Sequence, residues 1–326
     1  MLSKQKIINS ESAKTELESH QASVCGTTIH HIMKSNSFNT AFVILGVSCS
    51  FASAETFRYR LSGDWGKVAG ASDAGWVVNS SNEGTPGTSV PAAADDARIN
   101  WGGNTVTVST AAPNVKNVQI GVDENGTVVV ANGGVLTAAT DIFAGNNGSS
   151  ASGRLIVLSG GQVSVGNILW AANDGSEGII DVQTGGSVTV ASHLWWGVSG
   201  KATITISGEV KQTDGILGLG TNNASTASGG NATVTISSGG KLNLNNISGA
   251  PETPSIQPGS KIQINAGGLL TVKGDQVGSI NNYISANEII GDGGSLQVSF
   301  DPATNLTSVS VKAGETAPTG APAGEP

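Results

Sequence analysis

The stretch Leu155-Ile156-Val157-Leu158-Ser159-Gly160-Gly161-Gln162-Val163-Ser164-Val165 decides the fold. Apolar residues alternate on both sides of a Gly-Gly pair, the period-2 pattern of two short strands that each bury one face. The phrase returns at Val128 to Thr137, Ile180 to Val190, Val234 to Leu244 and Ile262 to Val272, with a shorter copy at Ile204 to Val210. The first glycines of these copies lie 23 to 31 residues apart. A strand phrase repeated at that period marks the stacked coils of a solenoid.

A third short strand precedes each phrase, as in Ile142-Phe143-Ala144-Gly145, Ile168-Leu169-Trp170-Ala171, Leu194-Trp195-Trp196-Gly197 and Leu217-Gly218-Leu219-Gly220. Three strands per coil, separated by Gly, Asn, Asp and Ser corners, predict an all-β chain folded as a right-handed parallel β-helix of about six coils. The expected inward columns are Val130, Val157, Val182, Ile206, Ile236 and Ile264 before the glycines, and Val135, Val163, Val188, Val210, Leu242 and Leu270 after them. Aligning the third strands places Ala144, Trp170, Trp196 and Leu219 inward, and Phe143, Leu169, Trp195 and Gly218 outward. Coil length varies most at Asn146 to Gly153 and Thr221 to Asn231, the corner where a binding loop would be grafted.

The predicted organisation is an upstream extension or misassigned start at 1–32, a signal peptide at 33–54, and an N-terminal cap with first strands at 55–116. Repeats follow at 117–275, capping strands at 276–313 and a Pro-rich tail at 314–326. The leader reading rests on Met33-Lys34, the apolar run Ala41 to Cys49 and the small residues Ala52-Ser53-Ala54. That run is shorter than the roughly 20 residues of a spanning helix, so no membrane span is expected in the mature chain. Trp65, Trp76 and Trp101 suit an aromatic cap, and Leu296 to Phe300 with Leu306 to Val311 suit a capping hairpin.

Cleavage after Ala54 would remove both cysteines and leave His193 as the single histidine, with 12 basic and 21 acidic side chains. An exported chain of this kind has no disulfide to hold it and depends on burial and backbone pairing. The net charge of −8 and the lack of any Lys/Arg run exclude an ordinary nucleic-acid binder.

The lead-in Trp65, Trp76, Pro91, Asp95, Ile99, followed by repeated V-x-V-x-x-G-G-x-V units, resembles the secreted bacterial β-strand-repeat proteins that often carry a PEP-CTERM sorting signal. It is also similar to β-helical passenger regions of autotransporter adhesins. The resemblance spans about residues 64 to 312 and implies a cell-surface or extracellular protein. Two departures stand out. Neither an apolar helix with a basic end nor a run of membrane-barrel strands follows the repeats.

Parallel β-helices also carry polysaccharide lyases and glycoside hydrolases, which need a base with cationic stabilisers or a pair of carboxylates. The candidates for such chemistry are Asp174, Glu177, Asp181 and His193, thinly placed among Gly and Ser. No calcium nonapeptide, zinc set or nucleotide loop is present, so no cofactor is expected. The outward apolar side chains Phe143, Leu169 and Trp195 offer a ligand-binding strip instead. The sequence therefore predicts a non-enzymatic structural or adhesive solenoid, with extracellular polysaccharide or an envelope protein as partner.

Overall fold

The computed structural model describes residues 54–68, 75–78, 85–86, 89–148, 150–221, 229–247 and 255–312. The extension at 1–32, the expected leader up to Ser53, most of the corner at 221–231 and the tail at 314–326 lie outside the described residues.

The chain winds into a β-solenoid of about seven turns with three long sheets of nine, nine and eight strands. A typical coil contributes Ile142–Asn146 to the first sheet, Ser152–Val157 to the second and Gln162–Val165 to the third. Each strand pairs in parallel with its counterparts one coil away. Leu155 lies across from Val128 on one side and Ile180 on the other, and Ile180 in turn from Ile204. The pairing continues through Val234, Ile262 and Ile289. Inward side chains therefore stack like upon like, and these columns form one continuous buried core.

The Gly-Gly pair has two separate causes. Gly160 adopts a left-handed turn at φ +76°, which an L side chain resists. Gly161 turns away from that region, but a Cβ there would approach the Val130 carbonyl oxygen of the preceding coil. The short copy keeps only the second role. Gly208 pairs in register with Gly186 and Gly240, and its turn is two residues shorter than that of the preceding coil.

Two sequence expectations shift in register. Leu136, and not Val135, occupies the inward column after the glycines, because Val163 pairs with Leu136. A seventh coil also precedes the first Gly-Gly phrase. It consists of Asp96–Ile99, Asn104–Val108 and bridges from Ala111 and Val115 to Val135 and Ala138. Its turn into the third sheet has Ser109 and Thr110 in place of glycines, so the phrase does not reveal it.

Both ends of the described core are covered. Gly75–Val78 runs antiparallel to Thr56–Arg60, and Tyr59, Trp65 and Trp76 pack edge to face, with ring centroids 4.9 and 4.7 Å apart. The Trp76 indole N–H donates to the Trp65 carbonyl oxygen at 2.7 Å. At the other end Leu306–Val311 pairs antiparallel with Leu269–Lys273, forming the expected hairpin with Leu296–Asp301. Between them stands a helix, Val277–Ser285, where capping strands were expected. Ile280, Tyr283 and Ile284 are spaced for one helical face, and Ile280 and Tyr283 bury it. These caps shield the ends of the core, while Leu296–Asp301 and Ile289–Asp292 remain the edge strands of their sheets.

The corner from the first sheet to the second gives a stability test. Gly145 has φ +82°, and an added Cβ would run into the Glu177 carbonyl oxygen of the next coil. Gly239 has φ +78° with open space where its Cβ would stand. Gly239→Ala is expected to cost about 1–2 kcal/mol from backbone strain alone. Gly145→Ala adds a backbone collision and should cost clearly more, on the order of 3 kcal/mol or above. Urea midpoints of the two variants check this, and equal losses would contradict the steric account.

Candidate functional site

In the coils at Leu169–Ala171 and Leu194–Trp196 the first sheet has only three residues per strand, so each presents one outward side chain. The register places Phe143, Trp170, Trp195 and Gly218 in that outward column. Ile142, Leu169, Leu194 and Leu217 point inward on one flank, and Ala144, Ala171, Trp196 and Leu219 on the other.

This corrects the expected strip. Leu169 is fully buried and takes no part in an exposed surface, whereas Trp170 faces outward in its place. Phe143 and Trp195 lie outward as expected, half-buried, and Trp196 is buried in the core. The cause is a one-residue slip. Gly121, Gly145, Gly197 and Gly220 hold the left-handed corner in other coils, and in this coil the corner falls on Ala172, at φ +58°, instead of Ala171. Since strand side chains alternate faces, one residue of slip exchanges Leu169 and Trp170.

The outward rings form a ladder across three coils. Phe143 and Trp170 stack with centroids 5.5 Å apart and planes 13° from parallel. Trp170 meets Trp195 edge to face at 4.6 Å and 78°. His193 extends the row by stacking on Trp195 at 4.9 Å and 22°. Gly218 ends it, and a Cβ there would collide with the Thr221 carbonyl oxygen at 2.5 Å and crowd Trp195 Cδ1 at 3.2 Å.

A polar border runs along the strand entries. Asn117 Nδ2 donates to Asp96 Oδ1 at 2.8 Å, and Asn117 Oδ1 accepts from the Asp141 backbone N–H at 3.1 Å. Asp141 Oδ1 accepts from Asn167 Nδ2 at 2.9 Å and from the Ile168 N–H at 3.0 Å. The Trp170 indole N–H faces the same carboxylate with geometry short of a full hydrogen bond. Burial pushes the Asp141 carboxyl above its ordinary range, while the Ile168, Asn167 and Trp170 donors pull the other way. In the coil after these, His193 Nδ1 accepts from the Ile216 N–H at 3.1 Å, which leaves Nε2 to carry the proton of the neutral ring.

The residues weighed for catalysis do not converge. Asp174 is an exposed corner residue at φ +50°, its carboxylate accepting from Asn173 Nδ2 at 3.3 Å. Glu177 and Asp181 stand on one face of Glu177–Val182, four residues apart, hence about 13 Å along the strand. That exceeds the separation of about 5–9.5 Å between paired glycosidase carboxyl groups. Asp181 accepts from Gln183 Nε2 at 3.3 Å, and His193 belongs to the first sheet's border. Among the described residues no group of three or more His, Cys, Asp or Glu could hold a metal ion.

The aromatic column was partly legible in the sequence, but Trp170 and the stacking of His193 on Trp195 were not. The missing signal was the position of the left-handed corner, which a glycine marks in the neighbouring coils and Ala172 conceals in this one. No protein-family model matches the chain, and no curated protein or solved structure proves significantly similar to it.

Asp141 supplies a pH test of the border. Its folded-state proton affinity exceeds that of the unfolded chain, so the folded state is penalised above the raised pKa and relieved as pH falls through it. Asp141→Asn keeps an oxygen for Asn167 and Ile168 without a charge, and should raise the melting temperature at neutral pH. That advantage should shrink as pH falls through the raised range, where Asp141 itself becomes neutral. A difference that stays constant with pH would show that desolvation of this carboxylate is not the cause.

Proposed function

We propose that the protein is a secreted, non-enzymatic adhesive solenoid whose aromatic ladder binds extracellular polysaccharide. The observation behind this reading is the outward row Phe143, Trp170 and Trp195, continued by His193. Aromatic faces are suited to the C–H faces of sugar rings, and the row lies half-buried on a sheet surface and outside the core. Coils about 4.8 Å apart spread three rungs over roughly 10 Å, room for about two consecutive sugar rings. Asp141, Asn167 and His193 border the row with groups that accept and donate hydrogen bonds to hydroxyls.

Export is part of the proposal and rests on the leader pattern at 33–54 and on the resemblance to secreted β-strand-repeat proteins. A lyase or hydrolase reading finds less support, since Glu177 and Asp181 are too far apart for paired action and Asp174 lies at a separate corner.

Glycan-array binding followed by calorimetry tests the proposal. Trp170→Ala and Trp195→Ala should each weaken binding by on the order of 10-fold or more, and Leu169→Ala should act on stability instead. Unchanged binding in the Trp170→Ala/Trp195→Ala double variant would remove the ladder as the site. New reducing or unsaturated ends on any bound glycan would overturn the non-enzymatic reading.

A further inference from the structure

A second surface, on the third sheet, has a different chemistry. A groove of about 570 Å³ lies between the outward face of the last coils and the hairpin turn at Thr304, Asn305 and Leu306. The turn is fixed against the sheet, with Leu306 in register with Lys273 and the Gly274 N–H donating to the Asn305 carbonyl at 2.8 Å. The volume lies within the range of about 300–1,000 Å³ of small-ligand pockets.

We infer that this groove binds an anionic sugar segment, its acidic group held between Lys211 and Lys273. Both lysines line the groove, both are exposed, and among the described residues neither ammonium group has a hydrogen-bond or ion-pair partner. They belong to coils two steps apart, which places their backbones about 10 Å apart along the solenoid. The one carboxylate in the lining is already engaged. Thr271 Oγ1 donates to Asn243 Oδ1 at 2.8 Å, and Asn243 Nδ2 donates to Glu209 Oε1 at 2.8 Å.

The acidic excess lies mainly in the earlier coils. Residues 94–200 hold three basic and eight acidic side chains, whereas 201–312, hairpin included, hold six lysines against seven carboxylates. An anion therefore meets weaker repulsion here than along the earlier coils, and its attraction rests on the two lysines themselves.

The rest of the lining favours a sugar over an acidic peptide. Asn243, Asn245, Thr213 and Thr304 line it and each already donates one hydrogen to a protein acceptor, which leaves the second amide N–H of each asparagine and the accepting lone pairs of each hydroxyl as partners for sugar hydroxyl groups. The strands beneath are already paired on both sides, so the groove floor offers a peptide no backbone ladder to join.

Titration of the full chain with oligogalacturonate, a sulfated oligosaccharide, a neutral oligosaccharide and polyglutamate tests the inference. One or both anionic sugars should bind, more weakly as salt rises, and the tighter of the two identifies the acidic group. Lys211→Ala and Lys273→Ala should each lose at least about 10-fold in affinity. Glu209→Gln, which removes the rim's negative charge, should gain a few-fold in affinity, a result no unfolded variant would give. All titrations are made in the Trp170→Ala/Trp195→Ala background, where the ladder no longer contributes, so binding that remains there and is lost with the two lysines belongs to the groove. The inference is overturned if polyglutamate binds as well as the sugars, if neither anionic sugar binds, or if the Lys211→Ala/Lys273→Ala double variant binds as the parent does.

Discussion

Everything in this solenoid depends on the backbone ladder between coils, which demands that each coil turn at the same three places. Where the first sheet passes to the second, Gly121, Gly145, Ala172, Gly197 and Gly220 all lie in the left-handed region. The strands they face carry Gly126, Gly153, Gly178, Ala202 and Ala232 in register, a column of the smallest side chains. A Cβ at Gly126 would run into the Ile99 carbonyl, and one at Gly153 into the backbone of Gly145. The corner is therefore narrow because carbonyls of neighbouring coils approach it closely, and that approach keeps the next strand in register.

Once register is fixed, the inward columns follow from burial and the outward ones become free to differ. Inside, Val157, Val182, Ile206 and Ile236 stack at full burial, each removal of such a side chain from water favouring the fold by about 1.5–3 kcal/mol. Outside, the first sheet carries aromatic rings, the second mixes Thr203, Thr205, Thr233 and Thr235 with Ile156 and Asp181, and the third carries Lys211, Asn243 and Thr271. One scaffold thus presents three chemically distinct faces. Fold alone says little about which of them is used, since sites are grafted onto a scaffold of this kind.

The repeats made the architecture legible because glycine is the visible trace of a backbone requirement. Legibility ended where another residue met the same requirement. Ala172 took a glycine's corner and hid the slip that exchanged Leu169 with Trp170, and Ser109-Thr110 replaced a Gly-Gly turn and hid a coil. Val135 resembles an inward residue because the position after Gly-Gly is apolar in that coil and polar in the next four, where Gln162, Ser187, Glu209 and Lys241 stand. The helix Val277–Ser285 was masked by its position after repeats, although Ile280, Tyr283 and Ile284 carry helical spacing. The groove beside Lys211 and Lys273 could not be read at all, since the hairpin turn that walls it is far along the chain from Lys211.

The same ladder that fixes the fold also sets how surface groups act together. A rung such as Trp170 is held by its strand neighbours on both sides, so little side-chain or loop ordering remains to be lost when a ligand lies along the column. Rungs on successive coils are then contacts to one chain, with an effective concentration set by coil spacing and not by a flexible linker. Such a surface recognises a repeating ligand through the number of rungs it engages. A single weak stack suffices per coil, and Gly218 below Trp195 marks where the row of rungs stops.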